Sequence, residues 1–171
     1  MIDTEVLRLP ITIGVVADTH LRSGSARLPD ELLNGIAGVD MIFHAGDVNT
    51  EDVLRRFEDI APVRAVVGNN DDQQLQQDLP FVRLFRAGRF TIVLLHGHNS
   101  LKLSARKFAE KLWADRVDLV IFGHSHQALK ERIGGCLLFN PGSPTQRRWQ
   151  PSHSFGIIRI DDEIEAELHF F

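Results

Sequence analysis

The chain has 171 residues, which suits one compact domain, and we predict a single domain over residues 1–171. The net charge of −4 gives no basic footprint for polymeric nucleic acid. No apolar run approaches the roughly 20 residues that cross a bilayer, the N-terminus lacks a signal-peptide pattern, and the single cysteine, Cys136, excludes an intrachain disulfide. We therefore expect a cytoplasmic protein without a membrane partner.

The first half of the chain alternates strands with helices. Ile11 to Ala17, Met41 to Phe43 and Val63 to Val67 are apolar, β-branched runs that are typical of buried strands. Helices are predicted to begin near Pro29, where acidic residues fill the first turn, and after Thr50. This order indicates right-handed βαβ units and a parallel sheet.

After Pro80 the pattern is richer in hairpins. Phe81 to Arg86 and Phe90 to Leu95 are two strands joined by a short turn, and apolar residues at helical spacing predict a helix from Ser100 to Trp113. The further predicted strands are Val117 to Phe122, Ala128 to Ile133, Cys136 to Phe139, Ser154 to Ile160 and Ile164 to Phe170. Two packed sheets with helices outside would satisfy this pattern.

Five of the predicted strands are each followed by side chains that bind metals. The candidate ligands in these loops are Asp18, His20, Asp47, Asn69, His96, His98, His124 and His126. Carboxylates, an amide and imidazoles are the mixture that borderline transition metals take up. If the strands are parallel neighbours, these side chains converge on one sheet edge. Each segment alone also fits a turn or a cap, but five together favour one metal site.

The order and spacing of these segments, from about Ile11 to Ser143, resemble the calcineurin-like metallophosphoesterases. Asn140-Pro141-Gly142-Ser143 further resembles their small single-domain phosphodiesterases of bacteria and archaea. The resemblance implies an α/β fold, a four-layer sandwich of two mixed β-sheets flanked by helices. It also implies two divalent transition metal ions, with manganese expected first and nickel, cobalt, iron or zinc left open.

The resemblance assigns roles to the candidate residues. The first metal would be held by Asp18, His20, Asp47 and His126, and the second by Asp47, Asn69, His96 and His124. Asp47 would bridge the two metals, and a hydroxide between them would attack a small or activated phosphodiester. His98 and Asn69 would stabilise charge on the phosphoryl oxygens.

Position 70 departs from many larger family members, which carry a histidine there that protonates the leaving group. Here the residue is Asn70, and a carboxamide is no general acid near neutral pH. We therefore expect a preference for activated diesters such as aryl phosphates. Asp71 is expected to have a structural or hydrogen-bonding role.

Two other functions compete with this interpretation. A subunit of the retromer sorting complex has the same fold and serves mainly in protein interaction, so a non-catalytic scaffold is the main alternative. A nuclease acting on polymers is disfavoured by the negative charge. Because every ligand position is filled, we favour an enzyme whose partner is a small phosphoester.

Several residues stay open between functional and structural roles. His44 could orient a ligand or be an ordinary buried histidine. Arg22 and Ser23 could meet the substrate, and the basic residues Lys102, Arg106, Lys107 and Lys111 fit a solvated helical face. A homo-oligomer, either a dimer or a tetramer, could use Phe81, Phe85, Phe90, Phe170 and Phe171, although core packing is the more ordinary use of these rings.

Overall fold

Two mixed β-sheets form the frame of the chain, seen in a computed structural model that describes residues 4–22, 24, 27–98 and 116–171. The strands are β1 (Thr4–Leu7), β2 (Ile11–Val16), β3 (Met41–His44), β4 (Val63–Ala65), β5 (Val82–Ala87), β6 (Phe90–Leu95), β7 (Leu119–Ile121), β8 (Leu129–Ile133), β9 (Cys136–Asn140), β10 (Ser154–Ile160) and β11 (Ile164–Phe170). The helices are α1 (Asp30–Gly35), α2 (Glu51–Glu58) and α3 (Gln73–Asp78).

Each sheet contains a run of three parallel strands. The first sheet has the order β1-β5-β6-β7-β9-β8, in which β6, β7 and β9 are parallel. The second has the order β11-β10-β2-β3-β4, in which β2, β3 and β4 are parallel. The carboxyl ends of parallel strands share an edge, so each sheet gathers its loops at one end.

The two sheets bury one apolar layer between them. Ile13, Val15 and Phe43 from the second sheet pack with Phe85 and Ile92 from the first, and all five are fully buried. The rings of Phe43 and Phe85 stack with centroids 4.4 Å apart. This contact spans both sheets and therefore fixes how the two sheet edges face each other.

The helices cover the outer face of the second sheet. In α2, Val53 and Phe57 are one turn apart and buried in an apolar cluster with Ile42 of β3. Thr50 is the N-cap residue by position, but its hydroxyl donates to Asp52 Oδ1 rather than to the backbone. No helix among the described residues is long and apolar enough to span a bilayer.

The two-sheet α/β fold predicted from the sequence is confirmed. The predicted strands begin and end within about two residues of the observed ones. β1 and α3 were not predicted, because β1 is a four-residue edge strand and α3 is a short, glutamine-rich segment with Leu75 as its one apolar residue. Cys136 is buried, as expected, and burial raises the pKa of its thiol to about 11. The predicted helix from Ser100 to Trp113, with its basic face, lies outside the described residues.

Candidate metal centre

The candidate ligands lie in loops at the carboxyl ends of strands from both sheets. The second sheet supplies Asp18 and His20 after β2, Asp47 after β3 and Asn69 after β4, whereas the first supplies His96 and His98 after β6 and His124 and His126 after β7. The expectation of one shared sheet edge was wrong, because the chain crosses to the other sheet after β4. Two facing edges form the centre instead.

Many of these ligands have an unusual backbone conformation. Positive φ angles occur at Asp18 (53°), His20 (46°), Asp47 (57°), His124 (69°) and His126 (58°). A left-handed conformation costs a non-glycine residue free energy and persists only where the surroundings impose it. Such strain concentrates at functional sites, and here it aims side chains from several loops at one point.

Asp47 lies at the middle of the centre. Its Oδ2 is 3.4 Å from His20 Nε2 and 3.4 Å from His96 Nε2, so imidazoles from both sheets face one carboxylate. Asn70 donates its backbone N–H to Oδ1 and its side-chain amide to Oδ2, each at 2.8 Å. Burial raises the pKa of Asp47, but the hydrogen bonds from His96 and Asn70 outweigh it and hold the pKa well below its usual range. The carboxylate is therefore ionised at neutral pH.

A first group of ligands surrounds Asp18. Its Oδ1 lies 3.6 Å from His126 Nε2 and 3.9 Å from His20 Nε2. The two imidazole Nε2 atoms are 3.1 Å apart, and their rings stack with centroids separated by 5.0 Å. The ligand atoms of Asp18, His20 and His126 all lie within 4.8 Å of one another.

A second group surrounds Asn69. Its Oδ1 is 3.2 Å from His96 Nε2 and 3.1 Å from His124 Nδ1. Asp47 Oδ2 lies near the same Nε2 atom of His96, and Asp18, Asp47 and His96 again have ligand atoms within 4.8 Å of one another. The two groups are therefore neighbours, with both carboxylates between them.

The unpaired atoms of the first group fit a divalent cation. Both carboxylate oxygens of Asp18 are buried, and no side chain of a described residue donates a hydrogen bond to them. The Nδ1 of His126 lies 2.6 Å from the carbonyl oxygen of Gln146, which can only accept, so Nδ1 carries the proton and Nε2 presents a lone pair. A buried carboxylate close to an imidazole lone pair is an environment that suits a transition metal ion.

Burial opposes ionisation of these groups when only protein surrounds them. It raises the pKa of Asp18 to about 7, with the charge of Asp47 adding to the effect against the opposing charge of His96. Burial also lowers the pKa of His20 and brings that of His126 to about 4. Neutral imidazoles are the form that binds metals, and a bound cation would restore the Asp18 carboxylate.

The loop after β9 forms hydrogen bonds that hold the backbone of the first ligand group. The sequence motifs had indicated only part of this loop. Ser143 Oγ donates to the carbonyl oxygen of Asp18 at 2.7 Å, and Thr145 Oγ1 donates to that of Thr19. Buried Asn140 donates to the carbonyl oxygen of Gly123 at 3.0 Å and to Ser125 Oγ at 3.1 Å, just before His126. The sequence pointed to Ser143 through a resemblance only. Nothing in its local pattern indicated Thr145.

Asp71 and His44 are two further buried residues that contact the loops carrying the ligands. Asp71 is structural, as expected, because its carboxylate accepts from the backbone N–H groups of Asn49 and Gly68 at 2.7 and 2.6 Å. His44 is fully buried, with Nε2 3.2 Å from Thr19 Oγ1, so it supports the backbone between two ligands.

His98 lies at the rim, with its ring centroid 5.3 Å from that of His96. Arg22 is exposed, and Ser23 lies outside the described residues.

Known proteins share both the sequence and the fold. The sequence model described as a calcineurin-like phosphoesterase superfamily domain matches residues 11–163. A probable metallophosphoesterase of Methanothermobacter thermautotrophicus is 33% identical over 157 residues, which cover 91% of this chain and 90% of that protein. A protein named phosphodiesterase from Methanocaldococcus jannaschii is 28% identical over 143 residues, covering 76% of this chain and 82% of its own length.

A solved structure of a protein that is not named as a phosphoesterase has the same fold. The zinc complex of Vps29 from Entamoeba histolytica superposes with a TM-score of 0.75, at 23% identity, over 94% of this chain and 99% of that chain. At this identity the likeness concerns the fold alone. It confirms that the two packed sheets are an arrangement which other chains adopt.

Proposed function

We propose that this chain, which belongs to the calcineurin-like phosphoesterase superfamily, is a phosphodiesterase that works with two bound divalent metal ions. The observation that carries the proposal is the pair of adjacent ligand groups that meet at Asp18 and Asp47. One group would comprise Asp18, His20, Asp47 and His126, and the other Asp47, Asn69, His96 and His124. The relative named phosphodiesterase supports the diester as the substrate class.

Bound cations would supply an activated water and would neutralise charge on a phosphoryl group. The protein's own residues prepare the place for them. Asp47 stays ionised between imidazoles of both sheets, as a shared ligand must. The backbone N–H and the side-chain amide of Asn70 each donate to one oxygen of Asp47, so the orientation of this carboxylate is fixed before any ligand binds.

In this proposal His98 would contact the substrate rather than a metal. Its ring lies over the second group, with centroids 5.3 Å from His96 and 6.4 Å from His124. Burial and the charge of His96 lower its pKa, so it is neutral at pH 7 and offers an N–H group. Such a donor at the rim can bind a phosphoryl oxygen as charge accumulates there.

The test is hydrolysis of bis(p-nitrophenyl) phosphate by purified protein supplied in turn with manganese, nickel, cobalt, iron or zinc, with bound metal measured in parallel. We expect turnover with at least one metal and a stoichiometry of two. Asp47→Asn should lower kcat/KM by more than about 100-fold and reduce the bound metal. Asp162→Asn changes an exposed turn residue next to β11 and should leave both unchanged.

The scaffold alternative predicts a different result. The likeness of fold to Vps29 favours it as the second candidate. A scaffold would retain stoichiometric metal and show no turnover with any of the five metals on diester or monoester substrates. That outcome would refute the proposed enzyme.

A further inference from the structure

The loop formed by residues 143–151, here called the rim loop, is tied to the first ligand group. Ser143 and Thr145 donate to the backbone that joins the ligands Asp18 and His20, at the carbonyl oxygens of Asp18 and Thr19. The carbonyl oxygen of Gln146 accepts from His126 Nδ1 at 2.6 Å. Three bonds in four residues leave the start of the loop little freedom, so the residues that follow stand at the edge of the centre.

The rim loop then makes a tight turn that presents two side chains. Gln150 N–H donates to the carbonyl oxygen of Arg147 at 2.8 Å, and the Arg147 guanidinium donates to the carbonyl oxygen of Pro151 at 2.9 Å. Arg148 and Trp149 are the two central residues of this turn. Arg148 has a φ of 51°, a conformation that asparagine or glycine adopts more easily than arginine.

Arg148 places a positive charge beside the ligands. Its side chain is exposed, and no described residue forms a hydrogen bond or an ion pair with it. Its charge nevertheless acts on His20, His124 and His126, where it helps to lower each pKa, and on Asp18. A guanidinium in this position is available to a phosphoryl oxygen, which it can contact through two N–H groups.

Trp149 is next to Arg148 and is 96% exposed, the most exposed of the large apolar side chains in the described residues. It adds nothing to the core, so packing gives no reason for an indole at this position. An exposed indole face held on a short turn offers a planar group a surface to stack on, and every nucleobase or aryl ring has such a face.

We propose that Arg148 and Trp149 form a binding site for the arm of the diester that stays on the phosphate, and that this arm carries a planar aromatic group, such as a nucleoside or an aryl ester. Arg148 contacts the phosphate and Trp149 stacks on the ring. This inference rests on the proposed phosphodiesterase function and names its substrate class. It makes two separable predictions, because charge acts on every diester whereas stacking acts only on aromatic arms.

The experiment keeps the leaving group constant and varies the other arm. Methyl p-nitrophenyl phosphate, phenyl p-nitrophenyl phosphate and thymidine 5′-(p-nitrophenyl phosphate) are compared by kcat/KM with metal-loaded protein. Wild type should prefer the phenyl or thymidyl arm over methyl, and Trp149→Ala should lower that preference about tenfold. Trp149→Phe should restore most of it. The ranking of phenyl against thymidyl distinguishes a general aryl site from a nucleoside site.

Arg148→Asn removes the charge while keeping a residue that tolerates positive φ. It should lower kcat/KM for all three diesters by a similar factor, of about tenfold, with the arm preference unchanged. Arg8→Ala, at the opposite end of the second sheet before β2, is the matched control for loss of an exposed arginine and should change nothing. Equal loss on every arm in Trp149→Ala, failure of Trp149→Phe to restore the preference, or wild-type rates with Arg148→Asn would overturn the assignment.

A binding measurement separates this inference from the proposed function. In a Trp113→Phe background, Trp149 is the only tryptophan, and its fluorescence in metal-loaded protein should be quenched by thymidine 5′-monophosphate but not by methyl phosphate. Quenching without turnover of any diester would refute the phosphodiesterase and retain the aromatic site. Turnover without selective quenching would retain the enzyme and refute the site.

Discussion

The imidazole Nδ1 of His96 lies 2.7 Å from the carbonyl oxygen of Ala45. Because a carbonyl only accepts, Nδ1 must carry a proton, so when the ring is neutral the lone pair is on Nε2, the nitrogen that is turned toward Asp47. His96 follows β6 of the first sheet and Ala45 follows β3 of the second, so one hydrogen bond both joins the sheets and selects the tautomer. Metal-binding histidines commonly have such a partner, since it fixes the ring orientation.

A substitution at Gly46 would test whether the orientation of the His96 ring matters for metal binding. A Cβ at Gly46 would lie 2.7 Å from His96 Nδ1 and 2.8 Å from its Cβ and Cγ, so Gly46→Ala must push the ring out of place. We expect a loss of metal affinity of at least about tenfold, together with destabilisation beyond the backbone cost of a positive φ. Metal titration followed by calorimetry measures the first effect, and urea unfolding measures the second.

Gly38→Ala is the matched control. Gly38 has a φ of 79°, close to the 86° of Gly46, but a Cβ there would have no atom within 4 Å. It should cost about 1 kcal/mol in the free energy of unfolding and leave metal affinity unchanged. Equal metal affinity in the two variants would show that the orientation of His96 does not matter for binding.

The pKa of Asp18 predicts how the stability of chelator-treated protein depends on pH. Burial raises this pKa from 3.8 to about 7, so the folded chain favours the protonated acid more than the unfolded chain does. The resulting stabilisation is complete below about pH 4 and is lost as the pH rises through 7. At pH 8, Asp18→Asn should therefore be more stable than the wild type by up to about 4 kcal/mol.

Unfolding in urea at several pH values, with chelator, measures this effect. The advantage of Asp18→Asn should grow from pH 5 to pH 8, which isolates Asp18 from Asp47, whose lowered pKa acts in the opposite direction. Added manganese or zinc should reverse the order, because it stabilises the wild type and not the variant. Parallel pH profiles for the two proteins would contradict the prediction.

The sequence was a better guide to which residues are candidate ligands than to how these residues are arranged in space. Apolar runs that end at Asp18, Asp47 and His96 could be recognised because a buried strand and its polar loop leave a local pattern. The division of the strands between two sheets leaves no such pattern, since it depends on which strands pair. The expectation of one common edge was wrong for that reason.

The hydrogen bonds that position the ligand loops could not be predicted from local sequence pattern either. Asn140 and Gly123 are separated by 17 residues, and the side-chain bond from Thr145 to Thr19 spans 126. Each such contact exists only because β9 lies beside β7 and its loop reaches across to the end of β2. Sequence periodicity records which face of an element is buried, but not which distant backbone atom a polar side chain will meet.

Asn140 is predicted to hold the loop that carries His124 and His126. Its amide bonds to the carbonyl oxygen of Gly123 and to Ser125 Oγ, and its Oδ1 accepts from Gly142 N–H at 2.9 Å. Asn140→Ala should leave buried backbone groups without partners and cost about 2–4 kcal/mol in the free energy of unfolding. Metal affinity should fall about 10- to 100-fold.

Ser125→Ala separates these effects, because it removes only the exposed hydroxyl among the partners of Asn140. It should change the free energy of unfolding by less than about 1 kcal/mol and leave metal affinity intact. Thermal denaturation and metal titration on both variants provide the comparison. A metal affinity for Asn140→Ala equal to that of wild type would show that the loop keeps its strained conformation without this amide.

Because Asn70 cannot act as a general acid, we predict that the rate of hydrolysis depends steeply on the pKa of the leaving group. Its backbone and side-chain N–H groups are both engaged with Asp47, and Asp71 beside it accepts from two backbone N–H groups, so neither is placed to protonate a departing oxygen. Because general acid catalysis is worth roughly 10²–10⁴ in rate, alkyl esters should react that much more slowly than aryl esters. Asn70→Ala should lower the rates of all esters through loss of its bond to Asp47, while the slope of log kcat against leaving-group pKa stays the same. A flat slope in wild type, measured with a series of substituted phenyl and alkyl diesters, would reveal a proton donor elsewhere in the centre.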